Sequence, residues 1–169
     1  MKFIKKIILT VLVSFLYSIS LTAQKNNQND LIGTYASDFT VTDINGNEYS
    51  LNNLKGKIIV MNFWFIECKP CIREMPQLNN LVKKYKNKEV VFLGFSGNGK
   101  LQIDSFLKTQ DFFYSIVPNS RKIASKYKVS GYPTNIIIDK NLKIAYASSG
   151  LKPTTINNIE KTIEHLIKK

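Results

Sequence analysis

The stretch NFWFIECKPCIREMPQL, residues 62–78, changes character at its midpoint: an apolar run ends and a helical stripe begins at Cys68, Lys69, Pro70 and Cys71. Upstream, residues 58–65 are continuously apolar, the pattern of a strand buried on both faces. Downstream, Ile72, Met75, Leu78, Leu81, Val82 and Tyr85 recur at three- and four-residue spacings and make one helical face. The predicted unit is a strand, a tight turn and a helix with Cys68 at its N-terminus and Cys71 one turn in.

These two are the chain's only cysteines, and four chemistries compete for them. Zinc needs three or four ligands from Cys, His and carboxylate, whereas the single histidine, His165, lies about a hundred residues away. Covalent haem attachment reads C-x-x-C-H, and Ile72 follows Cys71. A structural disulfide closing so small a ring removes little entropy from the unfolded chain. A redox-active dithiol fits better. Unpaired N–H groups and the dipole at a helix N-terminus favour the Cys68 thiolate. Cys71, shielded one turn in, is placed to resolve a mixed disulfide by attacking Cys68. Pro70 is tolerated because first-turn N–H groups have no helical partner. Lys69 favours the thiolate while Glu67 opposes it.

At 169 residues the chain has room for one domain behind a leader. Residues 1–23 read as a signal peptide: Lys2, Lys5 and Lys6 precede an apolar stretch over 7–21, with cleavage expected after Ala23. That stretch falls short of the roughly 18 to 20 residues of a membrane span; retained as an anchor, it would still leave the domain outside the cytoplasm. Residues 24–31 are polar and unpatterned, a linker, and the domain is expected over 32–169. An exported, extracytoplasmic or periplasmic location follows, where a disulfide persists. The formal charge of +12 is carried almost wholly by lysine, with only Arg73 and Arg121 as arginines. Scattered lysines and export argue against nucleic acid. A solvated basic surface is the simpler reading, and attraction to acidic partners or anionic headgroups the alternative.

Beyond the central unit, FTVTDINGNEYSL alternates around Asn45 and Gly46 and predicts a hairpin. Strands are expected over 90–95, 114–117, after Pro133 and over 143–147, and helices over 101–110, after Asn119 or Ser120, and along the stripe Ile156, Ile159, Ile163, Leu166 and Ile167. GNGK at 97–100 lacks phosphate-loop spacing. The order implies an α/β three-layer sandwich around a mixed central sheet with an N-terminal β-hairpin.

NFW with Trp64 four residues before Cys68, CKPC itself, Pro76 five residues after Cys71, and GYPT about sixty residues on together resemble the thioredoxin superfamily, more closely its exported TlpA/ResA-like branch. The resemblance spans about 32–167. It implies a thioredoxin-like domain, a protein-disulfide reductase type of thiol-disulfide oxidoreductase with no cofactor or metal, and a monomer. It implies that Pro133 is cis beside the dithiol and that Tyr132 pairs with an extended substrate like an added strand. Trp64, Lys69 and Pro70 complete the expected substrate surface, and Pro76 is expected to kink the helix. The chain departs from general thioredoxins in carrying Asn62 where they have a buried aspartate. Glu74, in the C-x-P-C-x-x-E pattern of the exported branch, is the expected proton relay, joining Cys68 and Cys71 as catalytic residues. The expected partners are a disulfide-containing exported protein, such as apocytochrome c in cytochrome c maturation, and a membrane electron-transfer partner for re-reduction. Two other functions compete. A non-catalytic peptide-binding module would use only the groove beside Pro133. A thiol peroxidase would want threonine three residues before the nucleophile, where Phe65 stands.

Overall fold

A computed structural model describes residues 28–169; the leader and residues 24–27 of the linker lie outside the described residues. In chain order the elements are β1 (Thr40–Thr42), β2 (Glu48–Ser50), β3 (Ile58–Trp64), α1 (Lys69–Lys84), β4 (Val90–Ser96), α2 (Lys100–Phe106), β5 (Ser115–Val117), α3 (Arg121–Lys126), β6 (Thr134–Ile138), β7 (Ile144–Ser149) and α4 (Thr155–Ile167). β1 and β2 form the antiparallel hairpin, its turn held by Asp43, whose carboxylate accepts the N–H groups of Asn45 and Asn47 at 2.9 Å. Gly46 sits there at φ 88°, the left-handed region that glycine enters without penalty.

The five-stranded sheet has the order β5-β4-β3-β6-β7. β3 is central and buried along its whole length, parallel to β4 and antiparallel to β6. A strand covered on both sides reads as a nearly continuous apolar run, here interrupted only by Asn62, because each face has its own core to fill. Ile58, Val60 and Trp64 face a core shared with α1, α2 and α4, whereas Ile59, Met61 and Phe63 face one shared with α3, the β1–β2 side and the N-terminal segment. Helices and hairpin on opposite faces complete the mixed three-layer sandwich.

Several boundaries differ from the sequence reading. Within the stretch expected as linker, residues Gln28–Leu31 form a 3-10 turn, with the Gln28 side chain donating to the Tyr127 carbonyl at 3.0 Å and Leu31 buried. α2 ends at Phe106, after which Lys108 and Thr109 close three-residue turns onto the Ser105 and Phe106 carbonyls, and the Thr109 hydroxyl also donates to the Phe106 carbonyl at 3.1 Å. α1 continues across Pro76, whose missing N–H leaves the Ile72 carbonyl without its helical donor. Gly94, on the α1 face of β4, makes room for aromatic packing. A Cβ there would stand 3.0 Å from the Phe112 ring and 3.3 Å from the Trp64 indole nitrogen.

Candidate active site

The C-terminal ends of β3 and β4 and the N-terminal end of β6 deliver the parts of the site. β3 ends at Trp64, and residues 65–67 carry the chain into Cys68, the N-cap of α1. Cys68 and Cys71 are joined by a disulfide with Cα atoms 5.3 Å apart. The Cys71 backbone N–H donates to Cys68 Sγ at 3.3 Å, so one unpaired N–H of the first turn is aimed at this sulfur. The same dipole that caps the helix stabilises negative charge on Cys68 when the disulfide is reduced. Cys71 is more enclosed than Cys68, at 1% against 5% exposure, and Pro70 between them is half-buried. Lys69 and Glu67 both extend into solvent on either side of Cys68. Their opposed influence therefore acts through water and is screened.

The approach to Cys68 is held from β4. Ile66 donates its backbone N–H to the Asn98 side-chain oxygen at 3.0 Å, and the Ser96 hydroxyl also reaches that oxygen, at 3.3 Å. The GNGK stretch thus supports the active-site turn, a role its composition alone did not signal.

Glu74 lies one turn beyond Cys71, at a spacing that leaves Cβ atoms about 5–6 Å apart on a helix surface. Its carboxylate is 1% exposed and points at two amides of the sheet. Asn62 Nδ2 donates to Oε1 at 2.7 Å; Asn135 Nδ2 donates to Oε2 at 3.2 Å and to Oε1 at 3.4 Å. Asn62 Nδ2 also donates to Asn135 Oδ1 at 2.9 Å, locking the amides to each other. Burial raises the Glu74 carboxyl from the usual 4.5 to about 7, against the lowering effect of the two amides. The phenol of Tyr114, buried without a hydrogen-bond partner for its hydroxyl, is held well above its ordinary range by burial and by the Glu74 charge. A carboxyl poised near neutrality within a turn of a buried cysteine is suited to take and return a proton.

The substrate side is assembled from β6. The Tyr132–Pro133 peptide is cis, and because Thr134 pairs with Phe63, Pro133 falls at the end of β3 from which the dithiol turn departs. Tyr132 is half-buried, its ring edge-on to Phe65 at 5.1 Å. Among the described residues, no intramolecular hydrogen bond engages the Tyr132 backbone N–H or carbonyl. Those groups remain open to an extended peptide. Trp64 requires a correction: it is fully buried, packed against Phe106 at 5.4 Å and Phe112 at 5.5 Å, so it is a core aromatic and lines no rim. Its residue type suited either place, and only the packing of α2 over it decides. His165 is exposed on α4 and takes no part.

Sequence reasoning missed Asn135 and Asn98. A signal for Asn135 was present: an amide inside the apolar strand TNIII must find a buried partner, and Asn62 poses the same demand in IIVMNFW.

This fold and this dithiol define a thiol-disulfide oxidoreductase of thioredoxin-like architecture. The chain belongs to the AhpC/TSA family, whose profile matches residues 32–147. It is similar to thiol-disulfide oxidoreductase ResA of Geobacillus kaustophilus (strain HTA426), 32% identical over 162 residues that cover 95% of this chain and 92% of that protein. It is also similar to the thioredoxin-like protein YneN of Bacillus subtilis (strain 168), 34% identical over 143 residues covering 82% and 84% of the two chains. The crystal structure of the thioredoxin domain of a thiol-disulfide oxidoreductase from Bacteroides vulgatus superposes with a TM-score of 0.68 at 26% identity, over 78% of this chain and 97% of that one.

Proposed function

We propose that the protein reduces disulfides of exported proteins, apocytochrome c among them, through a Cys68/Cys71 dithiol. The observation that carries this reading is the pairing of a capped, nearly enclosed Cys68 with a buried carboxyl one turn past Cys71. Cys68 thiolate attacks one sulfur of a substrate disulfide; a mixed disulfide forms and the other substrate sulfur leaves as a thiolate. Cys71 then gives its proton to the Glu74 carboxylate and attacks Cys68 Sγ, forming the intramolecular disulfide and releasing the second substrate thiolate. Substrate gains two electrons, the protein loses them, and an exported or membrane-bound thiol donor must restore the dithiol. Lys69, Pro70, Tyr132 and Pro133 are assigned to hold the substrate chain, Tyr132 through its open backbone groups as in strand addition. The signal-peptide reading of residues 1–23 supports export, and among the described residues no helix is long and apolar enough to cross a membrane.

The test is capture. A Cys71→Ala variant expressed with its leader is expected to accumulate mixed disulfides through Cys68 with exported thiol proteins, all released by reductant. A pure peptide-binding module yields none. The direction is read from the reduction potential: a value near the strongly oxidising end, about −120 mV, would reverse the assignment from reductase to oxidase.

A further inference from the structure

The surroundings of Glu74 are more specific than burial alone requires. Glu74 is buried on α1, the helix that packs over the core face carrying Val60 and Ile137. A carboxyl placed there without partners would stay neutral far above physiological pH. Register prevents this. In the β3–β6 ladder Asn62 stands directly opposite Asn135, and directly opposed residues present their side chains to the same face with Cβ atoms about 4.5–5.5 Å apart. That face is the one α1 covers, as the neighbours Val60 and Ile137 show.

We propose that Asn135 is a positioning residue of the proton relay: with Asn62 it forms a two-amide clamp that orients the Glu74 carboxylate and keeps it able to ionise inside the core. Asn135 does two things at once. Its nitrogen donates to Glu74, and its oxygen accepts from Asn62 Nδ2, which fixes the Asn62 amide with its donor edge toward the same carboxylate. Deleting Asn135 therefore removes one donor and unlocks the other. The titratable groups around Glu74 are the cysteines of its own helix and Tyr114 at the start of β5, whose phenol stays protonated throughout the range of interest. The two amides are the only side chains that hydrogen-bond the carboxylate among the described residues.

The inference rests on Glu74 being the relay, and the experiment separates the two. The full-length protein is labelled with carboxyl-13C glutamate, and the Glu74 signal, assigned by its loss in Glu74→Gln, is titrated by NMR. The rate of dithiol exchange with a peptide disulfide is followed over the same pH range. In Asn135→Leu both the carboxyl titration and the corresponding limb of the pH–rate profile are expected to move upward together by about one unit, the equivalent of one lost charge-assisted hydrogen bond. Asn135→Thr, compatible with a strand and retaining one donor, is expected to move both by less, and serves if the leucine variant does not fold. A purely structural role would lower stability and leave both titrations in place, which overturns the proposal. A Glu74→Gln variant with the wild-type pH–rate profile overturns the relay and with it the clamp. Loss of that limb in Glu74→Gln, combined with unmoved titrations in Asn135→Leu and Asn135→Thr, overturns the clamp alone.

Discussion

The two faces of β3 carry residues of similar burial and opposite consequence. On one face Ile59, Met61 and Phe63 meet Phe95, Phe39 and Tyr127, with Phe63 stacked on Phe95 at 5.2 Å. On the other, Val60, Asn62 and Trp64 lie under α1, where the core includes a disulfide, a carboxyl and two amides. Strand geometry sends alternate side chains to opposite faces, so one seven-residue strand supports an inert core and a reactive one without mixing them. The lesson is that the buried carboxyl and its two amides are confined to the layer between β3 and α1. The opposite layer is free to supply rigidity.

If that division is real, damage to the inert face lowers stability and spares the chemistry. Phe63→Ala removes a fully buried ring and is expected to cost about 3–5 kcal/mol in denaturant unfolding of the oxidised protein. The reduction potential should stay at the wild-type value; a shifted potential would break the comparison. On the reactive face the signature is pH. Because the folded protein keeps the Glu74 proton up to about pH 7 while the unfolded chain loses it near 4.5, native protein binds more protons across that interval. Stability from this group is full below pH 4.5, falls as pH rises through about 7, and is level above; the difference is roughly 3 kcal/mol. Glu74→Gln is expected to lack that slope, so the difference between variant and wild-type stability curves changes across this pH interval by the same amount. The smallest effect belongs to the turn. Asn98→Ala strips the Ile66 N–H of its side-chain acceptor and should lower stability by about 1 kcal/mol, with slower disulfide exchange and an unchanged Glu74 titration. An altered titration there would join the turn to the relay and sharpen the boundary between the two regions.

Much of this was legible along the chain. The apolar run ending in NFW, the change to a helical period at Cys68 and the hairpin at Asn45-Gly46 are local patterns, and local patterns survive in sequence because strand and helix periods differ. Glu74 was also within reach, through the C-x-P-C-x-x-E pattern of the exported branch that the sequence resembles. Trp64 was ambiguous because an aromatic beside a dithiol suits rim or core, and α2, forty residues later, encloses it. The 3-10 turn at Gln28–Leu31 was hidden for a similar reason: its glutamine is buried by a bond to Tyr127, 99 residues away.

The sequence by itself determined the order of strands and helices and the place of Cys68 and Cys71 at a helix N-terminus, because both follow from spacings within a few residues. Only the tertiary structure decided what surrounds Glu74. Asn62 and Asn135 are 73 residues apart and become partners through the antiparallel register of β3 and β6, and a one-residue slip of β6 would turn the Asn135 amide to the opposite face, away from Asn62. The Glu74 carboxyl therefore meets its two amide donors only in the folded sheet, because no local pattern brings residues so distant in sequence together.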